Sequence, residues 1–227
     1  MKTVLITGAS RGLGLQFTEH YVQQGWRVIA TARNVQSADK LKALSPWKLV
    51  ALDTSDEQSI LSAAKELEGE PIDLLINNAG ILTDYGVTES TKADIMKQFE
   101  VNAVGPFLTT RALLPNLKLA AQARGHAMVA QITSRMGSVS LNGGGYIGYR
   151  ASKTALNMIS TSLAKDLAAD HIGVVMLHPG YVSTEMSSGV GDITPQQSID
   201  FLTTILARVG LADSGKFFHY EGFELTW

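Results

Sequence analysis

Thr3-Val4-Leu5-Ile6-Thr7-Gly8-Ala9-Ser10-Arg11-Gly12-Leu13-Gly14 is the stretch on which the reading of this chain turns. Val4 to Ile6 are apolar without alternation, the pattern of a strand covered on both faces. Beyond the glycines, Phe17, Tyr21 and Val22 fall on one face of a following helix. Gly8 permits a tight turn. Gly12 and Gly14 let a pyrophosphate and a neighbouring strand approach the helix start, where free N–H groups and the helix dipole favour negative charge. Ser10, Arg11 and Leu13 complete that loop. Strand, glycine turn and helix in this order predict a dinucleotide cradle.

The alternation continues outward. Val28 to Ala30, Leu49 to Leu52, Leu74 to Ile76, Met128 to Ile132 and Val174 to Leu177 read as further buried strands. Helical signals fill the gaps. Thr54 and Glu57 have capping-box spacing, with Ile60, Ala63, Ala64 and Leu67 on one face behind them. Thr194-Pro195-Gln196-Gln197 supplies an N-cap, a proline at the first helical position and glutamine at N3. Ala155, Ile159, Leu163 and Leu167 form one stripe. The pattern predicts a single α/β domain over residues 1–227, a Rossmann-type doubly wound parallel sheet of about seven strands with helices on both faces. Ligands of such sheets sit beyond the carboxyl ends of the strands, at the switch point.

Composition removes several function classes. With 19 basic and 21 acidic residues the net charge is −2, so no basic field collects nucleic-acid phosphates. There is no cysteine, which excludes disulfides, thiolate nucleophiles and cysteine-ligated zinc. His20, His126, His171, His178 and His219 lack metal-ligand spacing, and no metal site is expected. No Gly-x-Ser-x-Gly elbow suggests a hydrolase. The first residues are too short an apolar run for a signal peptide and no later run reaches membrane-spanning length, so a soluble cytoplasmic protein is expected.

Three residues separate Gly8 from Gly12, and Thr-Gly-x-x-x-Gly-x-Gly resembles the short-chain dehydrogenase/reductase family in its compact single-domain type. The resemblance continues in family order through Asn77-Asn78-Ala79-Gly80, Asn102, Ser134, Tyr149-x-x-x-Lys153 and Pro179-Gly180. It implies a nicotinamide cofactor. An NAD-preferring site carries an acidic residue at the end of the second strand; here Thr31-Ala32-Arg33-Asn34 has none. Arg33, with Arg11, suits a 2′-phosphate, so NADPH is expected over NADH. By the same resemblance Asp53 contacts the adenine edge, unless it caps a helix beside Thr54. Asn78, Ala79 and Gly80 line the cofactor ribose, Pro179, Gly180 and Val182 also contact the cofactor, and Thr184 reaches its carboxamide.

Tyr149 and Lys153, four apart on a helix, share a face. Carbonyl reduction needs hydride at carbon and a proton at oxygen. A free tyrosine titrates near pH 10, and lowering it by about three units takes roughly 4 kcal/mol, which an ammonium and a nicotinamide cation in a dry site can supply. The resemblance makes Tyr149 the proton donor, Lys153 its partner and a ribose ligand, Ser134 the carbonyl-orienting hydroxyl, and Asn102 the holder of a relay water. Fifteen residues separate Ser134 from Tyr149, longer than the family's commonest spacing, and the extra length falls in Asn142-Gly143-Gly144-Gly145. Tyr146 lacks a lysine four residues on. Ser138 and Ser140 are weaker candidates than Ser134.

Residues 181–193 form the expected substrate loop, with Gly189 and Gly191 allowing movement, and Pro195 to about Val209 a lid helix. Met136, Tyr146, Tyr181, Met186 and Ile81 are candidate lining residues, a mainly apolar set with no arginine clamp, which suits a neutral carbonyl compound. The whole pattern, including the ending Gly215 to Trp227, resembles small NADPH-dependent carbonyl reductases related to the bacterial C-factor signalling protein. Two other readings remain: a cofactor-binding signalling or redox-sensing protein on the same fold, and an NAD-dependent alcohol dehydrogenase. Family members pair through the helices carrying Asn102 and Tyr149. Ala151, Ala155, Ala164 and Ala168 would allow a close-packed homodimer there, or would lie on the sheet.

Overall fold

The computed structural model describes residues 1–83 and 86–227. The elements run β1 (Thr3–Ile6), α1 (Gly12–Gln23), β2 (Arg27–Ala32), α2 (Asp39–Ala43), β3 (Lys48–Ala51), α3 (Glu57–Glu66), β4 (Leu74–Asn77) and α4 (Lys92–Phe99). After a π-helical turn at Glu100–Val104 follow α5 (Gly105–Ala112), α6 (Leu114–Arg124), β5 (Ala127–Ile132), α7 (Ile147–Asp166), β6 (Ile172–His178), α8 (Pro195–Arg208) and β7 (Phe217–His219). Among the described residues seven parallel strands form one sheet in the order β3-β2-β1-β4-β5-β6-β7. This is the expected Rossmann-type doubly wound architecture. The order reverses between β1 and β4, which opens a crevice at their carboxyl ends.

Continuous apolar strands follow from coverage on both faces. Val4, Ile6, Ile76, Ala130 and Leu177 point to one layer with Phe17 and Tyr21 of α1 and Ile199, Leu202 and Ile205 of α8. Leu5, Leu75, Val129 and Val174 point to the other, with Ile60 of α3, Leu117 and Ala120 of α6 and Ala164 of α7.

Several sequence expectations shift. The third strand ends at Ala51, and Leu52 packs just beyond it. The last strand, Phe217–His219, has only three residues, too few for a periodic signal. The cap of α3 is Asp56, whose side chain accepts from the N–H of Gln58, rather than Thr54, which is buried two residues earlier. Thr194 and Gln197 do form the capping box of α8. That helix is a core layer, however. Ile199 and Leu202 are fully buried, so lifting it as a lid would expose them.

Helix α7 departs most. Its buried row is Tyr149, Ser152, Lys153, Leu156, Asn157, Ser160 and Ala164, while Ala155, Ile159 and Leu163 are half-buried. Ser152 and Ser160 satisfy themselves inside the helix by donating to the carbonyls of Tyr149 (2.8 Å) and Leu156 (2.6 Å). Polar residues therefore occupy a face that a hydrophobicity pattern assigns to solvent. The four alanines do not share one surface either: Ala164 is buried, Ala168 lies beyond the helix, and Ala151 and Ala155 are half-buried.

Phe17, fully buried on α1 against the sheet, anchors the helix that begins at the glycine turn. Phe17→Ala is expected to destabilise the chain by about 3–5 kcal/mol, read as a lowered midpoint in urea titration with an unchanged slope.

Candidate active site

The glycine turn fits a dinucleotide. Gly8 and Gly12 have φ of +65° and +54°. A Cβ on Gly8 would come within 3.0 Å of the Ala79 Cα, and one on Gly14 within 2.2 Å of the Gly8 carbonyl oxygen. Gly8 and Gly14 are thus packing glycines, whereas a Cβ on Gly12 would meet nothing within 4 Å, so that residue faces open space at the helix start. No side chain caps α1 and no acidic residue lies in its first turn. Its N–H groups are left for an anion, which is the cradle a pyrophosphate needs.

Thr7, beside that turn, was not singled out from the sequence. Its hydroxyl accepts from the N–H groups of Asn78 and Ala79, both at 3.0 Å. The Asn78 amide donates to the carbonyl of Thr7 at 2.9 Å. Asn78 thus ties β1 to the segment after β4, and its side-chain N–H is spent on that joint. A Cβ on Gly80 would lie 3.2 Å from the Asn102 Oδ1 and 3.6 Å from the Lys153 Nζ, so a side chain there would crowd both.

Asn102 sits in the π-helical turn, fully buried. Such turns aim side chains that a regular α-helix would misplace. Its amide accepts from the Ile81 N–H (2.8 Å) and donates to the Ile81 carbonyl (2.9 Å) and the Ser152 hydroxyl (3.0 Å). With its N–H groups engaged, the side chain fixes the backbone after Gly80.

Ser134 and Tyr149 are brought together despite the long connection between them. The Ser134 hydroxyl accepts from the N–H of Met136 at 3.1 Å. Asn157 and Thr154 of α7 both donate to the Gly137 carbonyl, and the Thr133 hydroxyl donates to Asn157. A Cβ on Gly137 would stand 2.8 Å from the Lys153 carbonyl carbon. The end of β5 is therefore strapped to α7. The extra residues loop outward through Gly144, Gly145 and Tyr146, all left-handed, with Arg150 donating to the Gly144 and Gly145 carbonyls.

Lys153 is buried, with Nζ donating to the Ile132 carbonyl at 2.9 Å and lying 5.7 Å from the centroid of the Tyr149 ring. Burial lowers the ammonium to about 8. Burial pushes the Tyr149 hydroxyl up to about 12, opposed by its hydrogen bond with Ser134. The depressed tyrosine expected from the sequence is therefore not a property of the chain by itself, because withdrawal from water outweighs the hydrogen bond.

Around this centre, Arg33 is exposed and its charge acts on Asp53. Burial raises the Asp53 carboxyl, but two hydrogen bonds from Ser55, with Arg33 and Lys97 nearby, hold it below the ordinary range. Asp53 thus makes a local turn and does not cap α3. Arg11 forms an exposed ion pair with Glu185 at 2.7 Å, bridging the glycine turn to the loop after β6. That loop is folded: Val182 pairs with Ile193, and the Asp192 N–H donates to the Tyr181 carbonyl at 2.7 Å. A Cβ on Gly191 would meet the Ser183 nitrogen at 2.4 Å, so this glycine serves close packing rather than a hinge. Gly189, at φ +80°, faces open space. Ser198 donates to the Pro179 carbonyl, and Thr184 starts a one-turn helix closed by Ser187. Tyr181 and Met186 are exposed beside this loop, and Ile81 is half-buried. Met136 lines a cavity of about 250 Å³ with Val139, Ile147, Ala151 and Thr154. By helical spacing Ile147, Ala151 and Thr154 lie on the side of α7 away from Tyr149 and Lys153. Tyr146 stands at the start of α7 near this cavity. Ser138 and Ser140 bond each other and Thr226, not the centre.

A family model for short chain dehydrogenases matches residues 2–193. The C-signal protein of Myxococcus xanthus is 38% identical over 159 residues, 69% of this chain and 93% of that protein. NADPH-bound carbonyl reductase from chicken fatty liver has a TM-score of 0.92 at 32% identity, covering 100% of this chain and 99% of that one. The carbonyl reductase Sniffer of D. melanogaster has a TM-score of 0.94 at 30% identity, with 100% of both chains covered. No helix among the described residues is long and apolar enough to cross a membrane. Sheet order, motif order and these likenesses agree: the chain belongs to the short-chain dehydrogenase family and is an oxidoreductase that resembles C-signal and the carbonyl reductases.

Proposed function

We propose that the protein reduces a ketone or aldehyde with NADPH, Tyr149 giving the proton. The observation that carries this is the buried meeting of Ser134, Tyr149 and Lys153 beside the glycine turn. The cofactor, when bound, supplies the hydride. The chain does the rest. The α1 start, with Gly12 and Leu13, holds the pyrophosphate, and Arg33, helped by Arg11, holds the 2′-phosphate. Ser134 and Tyr149 both donate to the substrate carbonyl oxygen, so that negative charge developing there meets two O–H donors. Tyr149 then releases its proton to that oxygen, and the Lys153 ammonium stabilises the phenolate left behind.

The protonation states favour the reductive direction. A tyrosine held near 12 is fully protonated at neutral pH, as a proton donor must be, and is a poor base for oxidising an alcohol. The lysine, near 8, still carries its charge at pH 7.

Three outcomes follow. Tyr149→Phe should cut kcat by about a thousandfold or more, the scale of losing a general acid together with an oxyanion contact, while NADPH still quenches tryptophan fluorescence. Unchanged turnover of a diketone or quinone at 340 nm would refute the assignment. In the free enzyme kcat/KM should be flat below about pH 8 and decline above it, because a lysine with a depressed value loses its charge as pH rises through that value. Arg33→Asp should reverse the preference for NADPH over NADH, by about a hundredfold in the ratio of kcat/KM values if one charge-assisted phosphate contact is lost.

A further inference from the structure

Asn157 lies outside the motifs that the sequence shows, yet it is buried on α7 four residues after Lys153 and eight after Tyr149, on the same helix face as both. Its Oδ1 accepts from the Thr133 hydroxyl at 2.7 Å, and its Nδ2 donates to the Gly137 carbonyl at 3.2 Å. Thr133 immediately precedes Ser134. Gly137 ends the single 3₁₀ turn, Arg135–Gly137, that Ser134 caps. One side chain of α7 therefore holds the main chain on both sides of the Ser134 hydroxyl. The pair of contacts calls for an amide, because a hydroxyl donor on one side and a carbonyl acceptor on the other need a group that accepts and donates at once.

Ser134 needs such a hold, because the connection to Tyr149 supplies little of it. Fifteen residues separate the two, and Gly144, Gly145 and Tyr146 on the way are all left-handed. Within its own turn, the Ser134 Oγ accepts from the Met136 N–H at 3.1 Å and its carbonyl accepts from the Gly137 N–H at 2.8 Å. These bonds fix the shape of the turn but not its distance from α7. That distance is set across the gap, where a Cβ on Gly137 would stand 2.8 Å from the Lys153 carbonyl carbon and 3.0 Å from the Asn157 Nδ2. Thr154 also donates to the Gly137 carbonyl at 3.0 Å, but its other bond is to the Arg150 carbonyl within α7. Lys153 donates to the Ile132 carbonyl, on the strand side alone. Asn157 reaches both flanks.

We propose that Asn157 is a positioning residue for the reduction: by holding Thr133 and Gly137 it sets the Ser134 hydroxyl against Tyr149, and with it the point where a substrate carbonyl oxygen meets both donors. This rests on the carbonyl-reductase reading and adds a residue to it. Hydrogen bonds to a developing oxyanion act only at the right place, and a displacement of about 1 Å caused from outside the reacting groups can cost about a hundredfold in rate.

The test follows reduction of 2,3-butanedione by NADPH at 340 nm. Asn157→Ala should lower kcat by about tenfold to a hundredfold and leave the KM for NADPH unchanged, because its hydrogen bonds are to Thr133 and Gly137 rather than to the glycine turn. Thr133→Val keeps the shape and removes one of the two bonds. It should lower kcat by less, and it covers the case in which the alanine variant folds poorly. In a Ser134→Ala background the Asn157 substitution should cost less than about twofold, because residues that act as a unit are not additive. An equal loss with and without the Ser134 hydroxyl, a loss confined to the KM for NADPH, or an unchanged kcat in both single variants overturns the positioning role. Crystal structures of the wild type and of both single variants separate this from the reductase reading. Ser134 displaced from Tyr149 in the variants, without turnover by any of the proteins, keeps the positioning and removes the reduction. Turnover by the wild type, with Ser134 unmoved and kcat unchanged in the variants, does the reverse.

Discussion

Where β1 and β4 part, the Thr7 hydroxyl accepts hydrogen bonds from the N–H groups of Asn78 and Ala79, both at 3.0 Å, and the Asn78 amide donates back to the Thr7 carbonyl. The strand ladder ends with Ile6 against Ile76, after which the two chains leave toward opposite faces of the sheet. Main-chain groups there would lose their partners, and buried groups of that kind must be paired. The Thr7–Asn78 joint pairs them across the crevice. It also sets how close the two turns lie. Gly8 then touches Ala79, Gly14 fits under the Gly8 carbonyl, and Gly80 leaves room for Asn102 and Lys153. The glycine turn and Lys153 are thus positioned from one place.

The second half of the site depends on the buried polar row of α7. Asn157 and Thr154 hold the Gly137 carbonyl, and Lys153 holds the end of β5. This row continues a polar layer under the sheet. Asn77 and Gln131 are register neighbours on β4 and β5, and the Asn77 Oδ1, both amide atoms of Gln131 and the Thr109 hydroxyl are buried without partners among the described residues. An apolar layer of the same shape would be more stable, since each unpaired buried polar atom costs about 1–3 kcal/mol. The cost falls on β4 and β5, next to Ile132, whose carbonyl holds Lys153.

The fold was legible because alternation of buried strands with helices survives reading by eye, and the glycine turn fixes where it starts. The Ser134, Tyr149 and Lys153 meeting was legible through motif order, although the loop before Tyr149 obscured the distance. What stayed hidden was tertiary. Thr7 and Asn78 stand in motifs that the sequence shows, but their hydrogen bonds to each other appear only when the crevice is seen. Asp56 replaces Thr54 as a cap because Thr54 is drawn into the core, against Gly105, where a Cβ would stand 2.4 Å from the Thr54 carbonyl. The row on α7 defeated periodicity because serine and asparagine can be buried once their hydrogen bonds are made internally.

The opposite shifts of Tyr149 and Lys153 have one cause. Burial penalises charge, and it therefore raises the acid and lowers the base. For the lysine, a fall from 10.5 to about 8 corresponds to roughly 3 kcal/mol against its ammonium. Burial likewise keeps the proton on Tyr149 at neutral pH, while Lys153, near 8, still carries its charge. The pair therefore rests protonated, and the charge on Lys153 gains its full effect only when negative charge develops on the tyrosine oxygen beside it, in a medium that screens little. Stabilisation that grows between ground state and transition state lowers the barrier, whereas stabilisation equal in both does not. A site that suppresses ionisation at rest and rewards it during proton transfer is therefore better suited to reduction than one holding a ready phenolate.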